Sequence, residues 1–420
     1  MEFLNIRYEK YKLENGLDVI LYHDDNLPLV SVNLWYKVGS SNETKGKTGI
    51  AHLFEHMMFQ GSENVPKEMH FRLIQEAGGI LNGSTNFDRT NYYEKAPSNY
   101  LELILWLESD RMGFLLPSLT QEKLNNQIDV VKNERLERYE NQPYGLAWEI
   151  IISKLYPEGH PYSWPTIGFM EDITSYSLED IHNFHKTYYS PSNASLVVAG
   201  DFDADNAKKL ITKYFGDIPG NTKPNELELK EKRFENEIKL KRNENVQLDR
   251  IYLSWPSSKA YYEHDAALDI LSDILTGSKN SRLHKNLVYD NELAQDVSAY
   301  QYSGKYGGHF MIVATAKPGI SLDHLKLEIF KELNNIRNNG VTSKELEKSK
   351  NGIKSSFIYS LQNIDSIANQ LNYYSFYLNE PNSFSYDLLR YDRTENSAIK
   401  EAVENYLLMP YIELQISPNK

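Results

Sequence analysis

Two imidazoles and a carboxylate stand within five residues of one another in the run His52-Leu53-Phe54-Glu55-His56. On a helix, the residue four places on lies about 40° around the axis, and the residue three places on about 60° the other way. His52 and His56 can therefore grip one metal ion while Glu55 points at the same spot. Chance would give roughly 0.02 such arrangements in a chain of this length and histidine content, so an incidental pair of histidines is the weaker reading.

A tetrahedral zinc ion in a catalytic site takes three protein ligands and keeps a fourth position for water. The third ligand is sought in the helix expected from about Thr120 to Tyr139, whose apolar stripe is Leu124, Ile128 and Val131. Gln127 and Glu134 border that stripe, and a carboxylate beside an apolar stripe needs a partner. Glu134 is the candidate, whereas Glu137 and Glu140 read as solvated residues paired with Arg138 or Arg135. A purely structural zinc site would want four protein ligands and no idle carboxylate, which this set does not match. Two nitrogens and one oxygen suit one zinc ion per chain, and cobalt or manganese would also be accommodated.

Those elements need a scaffold, and 420 residues are enough for two or three domains. A formal net charge of -13 argues against nucleic acid or an anionic membrane as a partner, the plainer reading being that acidity keeps the protein soluble. No apolar run approaches the ~20 residues that span a bilayer, so no membrane insertion is expected. The start, MEFLNIRYEKYKLENG, has no apolar signal core. A cytoplasmic location follows if the sequence is complete, a periplasmic one if a signal was removed. With no cysteine there is no disulfide and no thiolate ligand. Nothing offers a phosphate-binding glycine loop, a serine nucleophile elbow or a basic nucleic-acid patch.

The chain repeats itself. PLVSVNLWYKVGS leads into the histidine helix, as QLDRIYLSWPSSK leads into ALDILSDILTGS. Gly61 matches Gly277, Pro97 matches Pro318 and Thr120 matches Thr342, at offsets of 216, 221 and 222 residues. Alternating strands mixed with amphipathic helices indicate an α+β fold: two tandem homologous α/β-sandwich domains with mixed or antiparallel sheets and helices on one face. The expected division is 1–218 for a metal-binding domain, 219–240 for a charged Pro/Gly linker, and 241–420 for a second copy. Leu268, Leu271 and Ser272 stand where the second copy would need its ligands.

The segments HLFEHMMFQGS, AGGILNGSTNFDRTNYYEKAP and DVVKNERLERYENQPYG resemble the pitrilysin-type inverted zincins, the H-x-x-E-H group that contains mitochondrial processing peptidase and insulysin. The short two-domain bacterial members look most similar, over nearly the whole chain. In that family a distal glutamate about 75 to 80 residues past the second histidine completes the zinc site. Glu134 lies 78 residues past His56. The resemblance implies peptide-bond hydrolysis with zinc on His52, His56 and Glu134 and with Glu55 as general base. GGILNGSTN reads by itself as a loop with two turns. The resemblance implies instead an edge strand to which extended substrate adds, with Asn82, Gly83 and Ser84 as substrate-binding residues and unfolded or short peptides as substrates.

Two positions depart from the family. Gln127 replaces a glutamate thought to orient the distal ligand. Val288 and Gln295 stand where active members place an Arg and a Tyr that reach the substrate, while Arg282, Tyr300 and Tyr302 are off that spacing and read as structural. The resemblance therefore implies the zinc-bearing half of a heterodimer, with a metal-free paralogous subunit supplying the Arg/Tyr pair, or else a homodimer. The alternatives are a metal-binding but catalytically weak peptide-binding or assembly subunit, and a zinc hydrolase acting on small amides or esters.

Overall fold

The computed structural model describes residues 4–224, 226, 227, 229 and 235–419. Its strands are β1 (Glu9–Lys12), β2 (Asp18–His23), β3 (Leu29–Tyr36), β4 (Ile80–Thr85), β5 (Thr90–Pro97), β6 (Ala194–Gly200), β7 (Ile238–Glu244), β8 (Arg250–Ser257), β9 (Ala294–Ser303), β10 (Gly308–Ala316) and β11 (Ile412–Pro418). Its helices are α1 (Ile50–Met57), α2 (Met69–Glu76), α3 (Leu101–Gly113), α4 (Gln121–Arg135), α5 (Ala147–Leu155), α6 (Met170–Ile173), α7 (Leu178–Tyr188), α8 (Ala204–Phe215), α9 (Asp265–Thr276), α10 (Leu322–Asn339), α11 (Ser343–Ser360), α12 (Ile364–Leu378), α13 (Phe384–Arg393) and α14 (Asn396–Ala402). Among the described residues no helix is long and apolar enough to cross a membrane.

The strands form two mixed sheets, β1-β2-β6-β3-β5-β4 and β7-β11-β8-β10-β9, which share one five-strand order to which the first adds β1 at its edge. Strand β2 runs parallel to β6, as β7 does to β11, while β3 and β8 run antiparallel to their neighbours. The repeat in the sequence is thus a repeat of structure: β3 leads into α1 as β8 leads into α9. In α9 the matching residues Leu268 and Leu271 are fully buried, so packing occupies the place of chemistry.

The first compact unit comprises residues 1–135, 164–228 and 358–385. Its central strands β3 and β6 are buried almost end to end, the signature of a sheet covered on both faces. Helix α3 and its neighbours cover one face. The other is covered by α12, a helix from the far end of the chain, through Trp35 against Tyr373 and Phe376 and through Asn372 Nδ2 donating to Asn33 O at 2.9 Å. The second unit comprises 136–163, 229–357 and 386–420. There α9, α10 and α14 enclose the main core with Trp255, Phe310 and Leu333. The opposite face is covered by α5, whose Trp148 packs on His309 of β10 with ring centroids 4.6 Å apart. Each repeat has lent one helix to the other's sheet. The expected boundaries at 218 and 241 follow the repeats along the sequence, and the compact units cross them. Of the expected linker, residues 225, 228 and 230–234 lie outside the described residues, and β7 already begins at Ile238.

This exchange has an energetic consequence. Ile367, Leu371 and Tyr374 of α12 are buried, and each such side chain contributes about 1.5–3 kcal/mol. Their sum rivals the roughly 5–15 kcal/mol net stability of a whole domain. Residues 1–228 expressed alone are therefore expected to give no cooperative unfolding transition, whereas co-expression with 229–420 restores one. A cooperatively folding 1–228 fragment would contradict the exchange as a stability requirement.

Candidate metal centre

Helix α1 is amphipathic in the simplest way. Ile50, Ala51, Leu53, Phe54 and Met57 are buried, with the Phe54 ring 4.3 Å from that of Tyr189 at a tilt of 47°, which leaves His52, Glu55 and His56 on the other face. The two imidazole rings lie 4.8 Å apart at 77°. Glu134, near the end of α4, brings Oε2 to 3.4 Å from His56 Nε2 and 3.8 Å from His52 Nε2. Donors about 2.0–2.1 Å from a tetrahedral zinc stand about 3.3 Å from one another. The observed separations fit that ion, and the donor set of two imidazoles and one carboxylate fits its chemistry.

Two glycines bring α4 to α1. Gly49, which opens α1, and Gly168 both adopt left-handed backbone (φ 86° and 82°) and touch back to back. A Cβ on Gly168 would fall 2.5 Å from Gly49 Cα, and one on Gly49 2.5 Å from Ile167 O. Arg135, next to Glu134, donates from Nη1 to Gly168 O at 2.7 Å, so the end of α4 is tied to the segment pressed on the start of α1. Glu43 completes the clamp: its buried carboxylate accepts from Gly49 N and Ala51 N, both at 2.9 Å, and so caps α1. Burial pushes the Glu43 carboxyl up to about 8, against the pull of those two N–H groups.

Glu55 is held from the strand side. Thr85 Oγ1 donates to Glu55 Oε2 at 2.6 Å. Burial pushes the Glu55 carboxyl above its ordinary value, and the Thr85 hydrogen bond works in the opposite sense. Gly83 gives the carboxylate room, since a Cβ there would sit 3.0 Å from Glu55 Oε1 and 3.2 Å from Phe59.

The segment that reads as a loop is strand β4, at the edge of the sheet and paired antiparallel with β5. The two-turn reading fails because Gly83 and Ser84 are small for packing reasons rather than turn reasons. The phase of the ladder follows from the bond Asn86 N to Arg89 O at 3.0 Å, which makes that pair and every second pair after it hydrogen-bonded. Ile80, Asn82 and Ser84 thus bond to β5, while Leu81, Gly83 and Thr85 present N–H and C=O to the open edge. Asn82 Oδ1 accepts the outward Gly83 N–H at 2.9 Å, shielding the edge locally. Gly83 faces Glu55; Asn82 and Ser84 face the opposite side of the sheet, where Arg89 Nη1 donates to Ser84 O at 2.7 Å.

Gln127 is buried two turns before Glu134, and among the described residues its amide makes no hydrogen bond to Glu134 or the two histidines. His70, Glu94 and Glu108 form a second group of possible ligands, fully buried. Arg111 already lies among them, bonded to Glu108 through Nε at 2.9 Å and through Nη2, and stacked on Tyr92 at 4.2 Å. Burial holds His70 down to about 3, so this cluster reads as a neutralised structural network. In the second unit Val288 packs against the core, Gln295 is exposed on the edge strand β9, and Arg282 is bound by Glu345 and Glu332 at 2.7 and 2.9 Å.

Residues 18–160 match the family model described as Insulinase (Peptidase family M16), and 175–353 match the one described as Peptidase M16 inactive domain. A zinc protease of Helicobacter pylori, PqqE, is 31% identical over 86% of this chain and 82% of its own length. The chain belongs to peptidase family M16. Within M16, the uncharacterized zinc protease YmxG of Bacillus subtilis is 28% identical, over 85% of both chains. The crystal structure of a protease from Helicobacter pylori superposes with a TM-score of 0.92 at 28% identity, covering 99% of this chain and 100% of that one. A putative M16-like peptidase from Alicyclobacillus acidocaldarius shares the fold at a TM-score of 0.83 and 21% identity, over 99% of each chain. The inactive-domain match includes helix α9, which carries Leu268, Leu271 and Ser272 where α1 carries His52, Glu55 and His56.

Because Glu43 holds α1 at the angle that aims both imidazoles, Glu43→Ala is expected to weaken zinc binding about 10- to 100-fold in competition with a chelator. Gly168→Val should do the same by parting α1 from the segment that holds Arg135. Unchanged zinc affinity in both variants would contradict the clamp.

Proposed function

We propose that this chain is a zinc metalloendopeptidase that hydrolyses unfolded or short peptides bound by strand addition at β4. The observation that carries the reading is the meeting of His52, His56 and Glu134 within ligand spacing, with Glu55 alongside and an open strand edge passing beside Glu55. Zinc bound there would lower the pKa of a water molecule and polarise the scissile carbonyl. Glu55 takes the proton of the attacking water on its carboxylate and delivers it to the leaving amine. Thr85 fixes Oε2 of Glu55 during that transfer, and Gly83 leaves the space the substrate backbone needs. Main-chain pairing with Leu81, Gly83 and Thr85 binds extended chains with little regard to sequence. It disfavours folded proteins, which have no free strand to offer.

We further infer that the chain works as the zinc-bearing member of a pair. Val288 and Gln295 supply neither of the charged and phenolic groups that the family's resemblance would place there, and Arg282 is committed to two glutamates. One relative, a probable mitochondrial-processing peptidase subunit beta of Arabidopsis thaliana, is 24% identical over 86% of this chain and 68% of its own length, and its name marks it as one subunit of an enzyme. A second reading, a chain that holds metal and peptide but cuts poorly, draws on the same two residues. Metal analysis and chelator-sensitive peptide hydrolysis, with and without a metal-free paralogue, separate the two readings. Activity that appears with the paralogue supports the pair, robust activity of the isolated monomer removes it, and binding without turnover in either state favours the second reading.

Glu134→Gln is expected to lose zinc and turnover together, and Glu55→Gln to keep zinc while losing turnover about 100-fold or more. Gly83→Pro removes an outward N–H that β5 does not use, so it should cripple peptide cleavage at unchanged zinc content. Undiminished cleavage by Gly83→Pro would remove strand addition.

A further inference from the structure

The second unit carries a cavity of about 300 Å³ of its own, where α5, the end of β8, the β9–β10 turn and the start of β11 converge. Small-ligand pockets begin at roughly this size. Its lining includes Tyr156, His160, Ser257, Tyr262, Tyr306 and Met409. The Tyr156 and His160 rings stack with centroids 4.6 Å apart at 14°. His160 Nδ1 accepts the Tyr162 N–H at 3.1 Å, and burial holds His160 down to about 4, so this wall is flat and uncharged. Tyr262 and Met409 are 69% and 38% exposed, large side chains that a bound ligand would cover.

The first copy of the repeat shows what fills the matching place. Gly39-Ser40-Ser41, just past β3, recurs at the end of β8 as Pro256-Ser257-Ser258, an offset of 217 residues. In both copies the chain here meets the turn after the edge strand: Ser41 N donates to Phe87 O at 2.7 Å, and Ala260 N to Gly304 O at 3.1 Å. In the first copy an indole seals the junction. Trp164 is 4% exposed, and its Nε1 donates to Ser40 O at 3.1 Å. Its run, Pro161-Tyr162-Ser163-Trp164, recurs as Pro381-Asn382-Ser383-Phe384, an offset of 220. Phe384, however, is fully buried with its ring 5.0 Å from that of Tyr374 of α12, and it is not among the residues lining the cavity. The second copy thus keeps the junction without the ring that seals it. Ser257 Oγ is buried there with no hydrogen-bond partner among the described residues, so an acceptor stands idle at the residue matching Ser40.

The loop along one side of the cavity is held in a costly shape. Tyr261 and His264 are both left-handed (φ 64°), whereas the chain enters α1 through left-handed glycines, Gly46 and Gly49. Bulky residues keep that conformation only where their surroundings impose it, and such positions cluster at ligand sites. Here Tyr261 N donates to Asp265 Oδ2 at 2.8 Å, and Ser258 Oγ to Glu263 O at 2.7 Å, which fixes Tyr262 between them.

We propose that this cavity binds an indole ring, which takes the place that Trp164 occupies in the first copy and donates its ring N–H to Ser257. The ring can belong to a tryptophan of a bound peptide or to a free indole compound. The site is separate from the metal centre and independent of the peptidase reading.

The test is calorimetric titration of the full chain with N-acetyl-tryptophanamide. It is expected to bind about 3- to 10-fold tighter than N-acetyl-leucinamide, because a flat ring gains from stacking. It should also bind about 3- to 10-fold tighter than its 1-methylindole analogue, which lacks the donor. Ser257→Ala is expected to erase the second difference and keep the first. Tyr262→Ala changes an exposed side chain and should weaken the indole at unchanged thermal stability. Gly307→Phe should abolish binding by filling the cavity, since a Cβ there meets only the Tyr156 ring, at 3.5 Å. With the zinc-loaded Glu55→Gln protein, an alanine-rich peptide carrying one Trp is compared with the same peptide carrying Leu. A gain from Trp that exceeds that of the free amide and is lost in Tyr262→Ala supports a peptide ligand, and an equal gain supports a free indole compound. No binding of N-acetyl-tryptophanamide, equal affinity for the leucine amide or the methylated ring, or binding that Tyr262→Ala and Gly307→Phe both leave unmoved would overturn the site.

Discussion

One carboxylate bridging two helices is the interaction on which the rest depends. A single turn of α1 can aim two imidazoles at a point but cannot supply a third donor on the same side, so Glu134 must arrive from α4 and stop 3.4 Å from His56 Nε2. Ligand fields tolerate errors of a few tenths of an ångström, and side chains on separate helices drift by more unless the backbones are pinned. Here the pins are short contacts: two back-to-back glycines, one arginine on a carbonyl, and one carboxylate across the start of α1. The metal would then bind to a site already close to its final geometry, which lowers the cost of ordering the ligands.

The duplication explains why such a site fits on one half only. Both sheets share a strand order, and α9 follows β8 as α1 follows β3. In α9 Leu268 and Leu271, which match His52 and Glu55, are buried in the core, and Ser272 stands in place of His56, so the second half keeps the scaffold without that donor set. The exchange of α5 and α12 makes the two halves mutually dependent for stability.

Much of the centre was legible from spacing alone. The His52, Glu55, His56 pattern has one geometric meaning on a helix, and Glu134 stood out because it borders an apolar stripe. The two-fold repeat was legible because turns and strand-helix junctions recur at nearly constant offsets. Glu43, Arg135 and Gly168 were not legible as site residues. Glu43 sits in the polar run SSNETKGKTG, which looks like any solvent loop, and its partners are backbone N–H groups that leave no mark on the sequence. Gly168 matters only because it meets Gly49, 119 residues earlier in the chain. The exchange of helices escaped for the same reason: α5 and α12 are ordinary amphipathic segments, and nothing local states which sheet they cover. Strand β4 was hidden because its small residues make room for Glu55 and for a neighbour, and small polar residues otherwise signal a turn.

The most direct test of the central claim is anomalous diffraction at the zinc absorption edge from crystals grown with one equivalent of zinc. The geometry requires a single strong peak about 2 Å from His52 Nε2, His56 Nε2 and Glu134 Oε2 together. A peak coordinated without Glu134, or located at another cluster, would contradict the account.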